Sequence, residues 1–119
     1  MSKIVVLGAS PNRERFSYKA VKALRRRNYD IVALGSKEGE IGDIPIHTGQ
    51  PELDDVDTVL LYLNPENQKP LYDYILSMKP RRIIFNPGTN NKEFTELADR
   101  NGIEVVHQCA LVMLSSEIF

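Results

Sequence analysis

The sequence predicts an α/β fold built on a buried parallel sheet. Two observations carry this prediction. Five short runs, residues 4–7, 31–34, 59–63, 83–85 and 105–106, are β-branched or aliphatic and do not alternate with polar residues. Strands of that composition bury both faces, as in a parallel sheet covered by helices. The segments between them place apolar residues at helical spacing. Strands alternating with helices imply right-handed crossovers.

The helices follow in order. Residues 17–27 put Ala20, Val21, Ala23 and Leu24 on one face, and end in Arg25, Arg26 and Arg27. Cations suit the negative end of a helix dipole. Residues 70–78 carry Leu71, Tyr72, Ile75 and Leu76, with Pro70 in the first turn, where a missing N–H costs nothing. Residues 91–100 carry Phe94, Leu97 and Ala98, with Thr89 or Asn90 placed to cap them and Gly102 placed to stop them. The apolar stretch 110–114 predicts a short last helix.

Segment 35–57 has no helical stripe and holds Gly39, Gly42, Pro45, Gly49 and Pro51. Ile44 and Ile46 alternate as in a short extended piece. Long loops in compact domains are usually functional, and we read this one as a flap facing a ligand. The expected architecture is a Rossmann-like three-layer α/β/α domain over residues 1–119. Its parallel sheet has five strands in the order 3-2-1-4-5.

The chain has 119 residues, the length of one domain, and a mass of 13.5 kDa. Fifteen basic residues against 16 acidic ones give a net charge of −1, unlike the strongly basic footprint of a nucleic-acid-binding domain. Cys109 is the single cysteine and has no internal disulfide partner. No start resembling a signal peptide is present, and no apolar run approaches the ~18 residues of a membrane span. These features predict a cytoplasmic protein with neither a membrane nor a nucleic-acid partner.

In an open α/β sheet, ligands bind outside the carboxyl ends of the strands. The loop after the first strand reads Gly8-Ala9-Ser10-Pro11-Asn12-Arg13-Glu14-Arg15. Gly8 permits a sharp turn, Ala9 a close approach, and Ser10 offers a hydroxyl. A helix N-terminus follows and is a natural phosphate site, to which Arg13 or Arg15 adds a guanidinium. The spacing is not G-x-G-x-x-G, so the standard dinucleotide fingerprint is absent. The second strand ends in Gly35-Ser36-Lys37 rather than the carboxylate of an NAD site. Ser36 and Lys37 favour a phosphorylated adenosine, as in coenzyme A or NADP. Leu63-Asn64-Pro65 and Asn86-Pro87-Gly88 close the third and fourth strands.

Gly8-Ala9-Ser10, the following Pro-Asn-x-Arg stretch and Ser17-Tyr18 resemble the opening of the small bacterial CoA-binding proteins. Those are stand-alone domains similar to the CoA-binding domain of the succinyl-CoA synthetase alpha subunit. The resemblance extends from Lys3 to about Ser115 and includes residues 83–88 and Val105-Val106-x-x-Cys109. It implies coenzyme A or an acyl-CoA as ligand. Gly8, Ala9, Ser10 and Arg13 would hold the phosphates, and Gly35, Ser36 and Lys37 would meet the adenosine phosphate end. Leu63, Asn64 and Pro65 would flank the adenine or ribose. Asn86, Pro87 and Gly88 would line the pantetheine route. The chain departs from many relatives at Leu34-Gly35-Ser36 and at Asn86-Pro87-Gly88.

Catalysis has little to work with. His107 and Cys109 stand two apart where a strand is ending, and free cysteines are usually small buried hydrophobes. No cluster has metal-ligand spacing. The expectation is a binding module and not an enzyme, with a sensing or regulatory output. Two other readings remain open: an NADP-binding oxidoreductase or fragment, and an oligomeric module pairing through Tyr72, Tyr74 and the tail Glu117-Ile118-Phe119, as in a homodimer.

Overall fold

The apolar runs become strands that bury alternate side chains on opposite faces, as a period of two requires. A computed structural model describes residues 2–119. Its elements are β1 (Lys3–Leu7), α1 (Phe16–Arg26), β2 (Asp30–Leu34), β3 (Gly39–Ile41), β4 (Ile44–His47), β5 (Val56–Leu61), α2 (Pro65–Gln68), a 3-10 turn (Lys69–Leu71), α3 (Tyr72–Ser77), β6 (Arg82–Phe85), α4 (Lys92–Arg100), β7 (Glu104–Val106) and α5 (Ala110–Ser115).

One sheet contains all seven strands in the order β3-β4-β2-β1-β5-β6-β7. Only the β3–β4 pair is antiparallel. The Rossmann-like α/β class is therefore as expected, and two details of the sheet are corrected. There are seven strands, not five. The run 59–63 lies beside β1, in register Val5↔Val59, rather than beside β2. The third place belongs to β4, which pairs with β2 at Ala33↔Ile46. Counted alone, the parallel strands follow the order 3-2-1-4-5-6.

The missing pair comes from segment 35–57. Pro45 and Gly39 hide its strand character, but Gly42-Asp43 between Ile41 and Ile44 is a two-residue hairpin connection. Pro45 is tolerated because β4 lies near the sheet edge and pairs with β2 over a short register only. The flap is thus shorter than expected and begins after His47.

Helices cover both faces. On one, Ile4, Val6, Ala33, Leu60 and Ile84 pack with Val21 and Leu24 of α1 and Met113 and Leu114 of α5. On the other, Val5, Leu7, Leu34, Val59, Leu61, Ile83 and Phe85 pack with Ile75 of α3 and with Phe94 and Ala98 of α4. Burying each such side chain contributes about 1.5–3 kcal/mol. The predicted helix over 70–78 is longer and broken. It starts at Pro65, passes through the 3-10 turn that holds Pro70, and continues as α3. No described helix is long and apolar enough to cross a membrane.

The amino edge is closed by polar contacts. Arg81 forms ion pairs with Asp57 at 2.8 Å and Glu104 at 3.4 Å. Buried Arg82 donates to Thr58 Oγ1 at 2.9 Å and to the Phe119 carbonyl at 3.2 Å, with the Phe119 ring over its guanidinium.

Candidate functional site

The turn after β1 is shaped by its contacts with neighbouring strands. Gly8 has φ +89°, and a Cβ there would meet the Tyr62 carbonyl group at 2.9 Å. A Cβ at Gly35 would strike the Ala9 carbonyl oxygen. These two glycines let the loops after β1, β2 and β5 touch. The backbone N–H groups of Gly8 and Ala9 both donate to the Leu34 carbonyl at 3.0 Å, so neither is free for a phosphate. Ser10 Oγ accepts from Asn12 N at 3.1 Å, and Asn12 Oδ1 accepts from Glu14 N at 3.0 Å. This double turn leads the chain into α1.

A cavity of about 720 Å³ opens where these loops meet, within the range of small-ligand sites. Its polar lining includes Ser10, Arg15, Ser17, Ser36, Gln50 and Asn67, and its apolar and aromatic lining includes Leu7, Leu34, Leu63, Pro70, Leu71 and Tyr74. Phe16 stands at the start of α1 with 65% of its surface exposed, and the Lys19 ammonium lies 5.4 Å from its ring centroid. Gly49 and Gln50 of the flap line the same cavity, and Tyr74 Oη donates to the neighbouring Pro51 carbonyl. Burial pushes the Tyr74 hydroxyl above its ordinary pKa.

The start of α1 is electrostatically distinctive. No side chain caps it, and its first turn holds no acid. Its leading N–H groups therefore keep their hydrogen-bonding capacity and partial positive charge. Arg15, Phe16 and Ser17 present this end to the cavity. Arg15 is the one formally charged side chain among the described residues of the lining. An anionic group is the ligand chemistry that such an end accepts.

The expected site residues divide into two groups. Gly8, Ala9, Ser10, Gly35, Ser36 and Leu63 line the cavity; Arg13, Lys37, Asn64, Pro65, Asn86, Pro87 and Gly88 do not. Asn64 caps α2, its Oδ1 accepting from Asn67 N at 2.9 Å, and Pro65 opens that helix. Asn86 is buried. Its Nδ2 donates to the Leu61 carbonyl at 3.0 Å, and its Oδ1 accepts from Ala110 N at 2.8 Å. Pro87 and Gly88 lie in the turn closed by Thr89 Oγ1 donating to the Asn86 carbonyl at 2.7 Å. The cap of α4 is Asn91, whose Oδ1 accepts from Phe94 N, rather than Thr89 or Asn90.

Several lining residues had no sequence signal strong enough to single them out: Phe16, Gly49, Gln50, Tyr62, Pro70 and Tyr74. Gln68 supports the wall from behind. It is fully buried and donates through Nε2 to the carbonyls of Leu63 and Thr89, both at 2.8 Å. Its Oε1 accepts from Asn91 Nδ2 at 2.9 Å.

The catalytic candidates do not converge. His107 stacks on Phe85 with centroids 5.1 Å apart and lies 3.3 Å from Thr95 Oγ1, on the α4 side. Cys109 heads α5, which packs on the opposite face. No group of described residues has a metal-binding arrangement. Tyr72 and Tyr74 both make contacts within the chain. Tyr72 stacks on Phe94 at 4.4 Å and donates to Glu93, while Tyr74 holds the flap.

A parallel sheet in this order, with an uncapped helix start at the β1 turn, defines a Rossmann-like nucleotide-binding domain. The chain belongs to the CoA binding domain family, which matches residues 2–115. A crystal structure known only as an uncharacterized protein is 46% identical and superposes with a TM-score of 0.96, covering 100% of this chain and 98% of that one. A hypothetical protein from Pyrococcus horikoshii OT3 is 22% identical with a TM-score of 0.85, over 98% of this chain and 83% of that one. A protein from Thermus thermophilus is 20% identical with a TM-score of 0.84, over 99% and 90%. The last two share the fold. No curated protein matches the chain.

Proposed function

We propose that the protein binds coenzyme A or an acyl-CoA in the carboxyl-edge cavity, as a non-catalytic sensing or regulatory module of the cytoplasm. The observation that carries this reading is the uncapped start of α1, with Arg15 as the lone charged side chain of the lining among the described residues. It supplies an anion site beside an apolar wall, which matches a ligand with phosphates at one end and a long neutral arm. Arg15, Ser17 and the first N–H groups of α1 would hold phosphate. Ser36 stands where an NAD site places a carboxylate, and so suits a phosphorylated ribose. Leu63, Leu71 and Tyr74 would supply apolar contact. When bound, coenzyme A supplies a thiol for carrying acyl groups.

The non-catalytic part of the reading is supported by the lining itself. No Asp, Glu, His, Cys or Lys side chain lines the cavity among the described residues. The test is native mass spectrometry of freshly purified protein. A retained adduct of coenzyme A or acyl-CoA mass is the expected result. An adduct of NADP mass would transfer the site to the oxidoreductase reading.

A further inference from the structure

Tyr62 Oη is the one buried side-chain polar atom among the described residues that lacks a hydrogen-bond partner. Native interiors leave few such groups, and each calls for an explanation. Tyr62 follows directly on β5 and is one of the residues that line the cavity, with Gly8 and Leu63. Its backbone is pinned. The Tyr62 N–H donates to the Leu7 carbonyl at 2.9 Å, and its own carbonyl packs against Gly8. The hydroxyl is therefore the polar group of this residue that is left without a partner.

We propose, building on the coenzyme A reading, that Tyr62 recognises the neutral arm of the ligand. Its hydroxyl turns from its partnerless position to donate to an amide or thioester carbonyl of the pantetheine arm. The turn breaks no hydrogen bond, because the hydroxyl makes none in the free protein. The surroundings decide which part of the ligand it meets. Tyr62 packs against the apolar cluster of the face that holds α1 and α5, and no polar partner lies within hydrogen-bond reach of its hydroxyl. A neutral acceptor can enter there without an unpaired charge; a phosphate cannot. Burial, with the nearby Cys109 as a smaller influence, pushes the Tyr62 hydroxyl well above its ordinary pKa. Like any tyrosine hydroxyl at physiological pH it is protonated and able to donate.

The test compares the wild type with Tyr62→Phe in two measurements. In the free protein, the substitution removes a buried donor without a partner, so Tm should rise by about 3 °C. In calorimetric titrations, affinity for coenzyme A and for 4′-phosphopantetheine should fall about five- to tenfold. Affinity for adenosine 3′,5′-bisphosphate should be unchanged. Equal coenzyme A affinity in the two proteins overturns the proposal. So does a loss shared by the adenosine bisphosphate, which would indicate a general disturbance of the cavity. A wild-type protein that binds none of the three ligands overturns the coenzyme A reading itself, and this assignment with it.

Discussion

The carboxyl edge of the sheet has two halves that look alike in sequence and differ in structure. The loops after β1, β2 and β5 surround an open cavity, and the helix they lead into, α1, begins uncapped. The loops after β6 and β7 are closed on themselves. There Asn86 ties β5 to the start of α5, Asn91 caps α4, and Gln68 bonds both neighbouring loops. Both halves are rich in Asn, Pro and Gly. The difference lies in where their polar groups point. Donors left unsatisfied by the fold are available to a ligand; donors and acceptors used internally hold the fold together.

Breaking the closed half should cost the most stability. Asn86→Ala leaves the Leu61 carbonyl and the Ala110 N–H buried without partners. We expect a loss of about 2–4 kcal/mol and a fall in Tm of about 10 °C, read by thermal unfolding. Affinity for coenzyme A should stay within about twofold, because the side chain does not line the cavity. A tight, stable Asn86→Ala protein that no longer binds ligand would erase the distinction between the halves.

The open half should show the reverse pattern. Arg15→Glu puts a carboxylate beside the ligand phosphates and should weaken coenzyme A binding about 10- to 100-fold in calorimetry. Stability should hold or rise slightly, because an acid at a helix N-terminus is favourable by about 0.3–1 kcal/mol. Arg13→Glu, two residues away and outside the lining, should weaken binding by less than about threefold. Equal losses at the two positions would show that the turn at residues 10–14 does not select which arginine faces the ligand.

The smallest effect belongs to the amino edge, remote from both halves. The Arg81 guanidinium holds the Asp57 carboxyl below its ordinary 3.8, with the Thr58 hydroxyl assisting. A carboxyl lowered on folding stabilises the protein above its unfolded pKa. That contribution is lost as pH falls through the folded value. Arg81→Met should therefore lower Tm slightly at pH 7, by less than about 1 kcal/mol in stability for so exposed a pair. The two proteins should converge as pH falls through the folded value. Ligand affinity should not change.

The sheet was largely legible because uninterrupted Ile, Val and Leu runs have few other uses in a short chain. The hairpin β3–β4 was not, since Pro45, Gly39 and Gly42 mask a segment of alternating isoleucines. The cavity was half legible. Gly8, Ser10 and Ser36 follow from position at strand ends alone. Arg13 and Arg15 cannot be separated by composition, because two side-chain-capped turns, Ser10 to Asn12 and Asn12 to Glu14, set their directions. Asn86-Pro87-Gly88 suits a ligand loop and a closed turn equally well, and only the tertiary partners of Asn86 distinguish them. Tyr62 was hidden because it continues the alternation of β5, with Leu60 on the same face, and an unpartnered hydroxyl leaves no mark in spacing or composition.

The central claim is that the open half of the carboxyl edge is a coenzyme A site. Thermal unfolding with coenzyme A and, separately, NADPH tests it most directly. At 100 times its dissociation constant, coenzyme A should stabilise the protein by about 2.7 kcal/mol, and NADPH at the same concentration should leave Tm unchanged. Stabilisation by NADPH with none from coenzyme A would contradict the account.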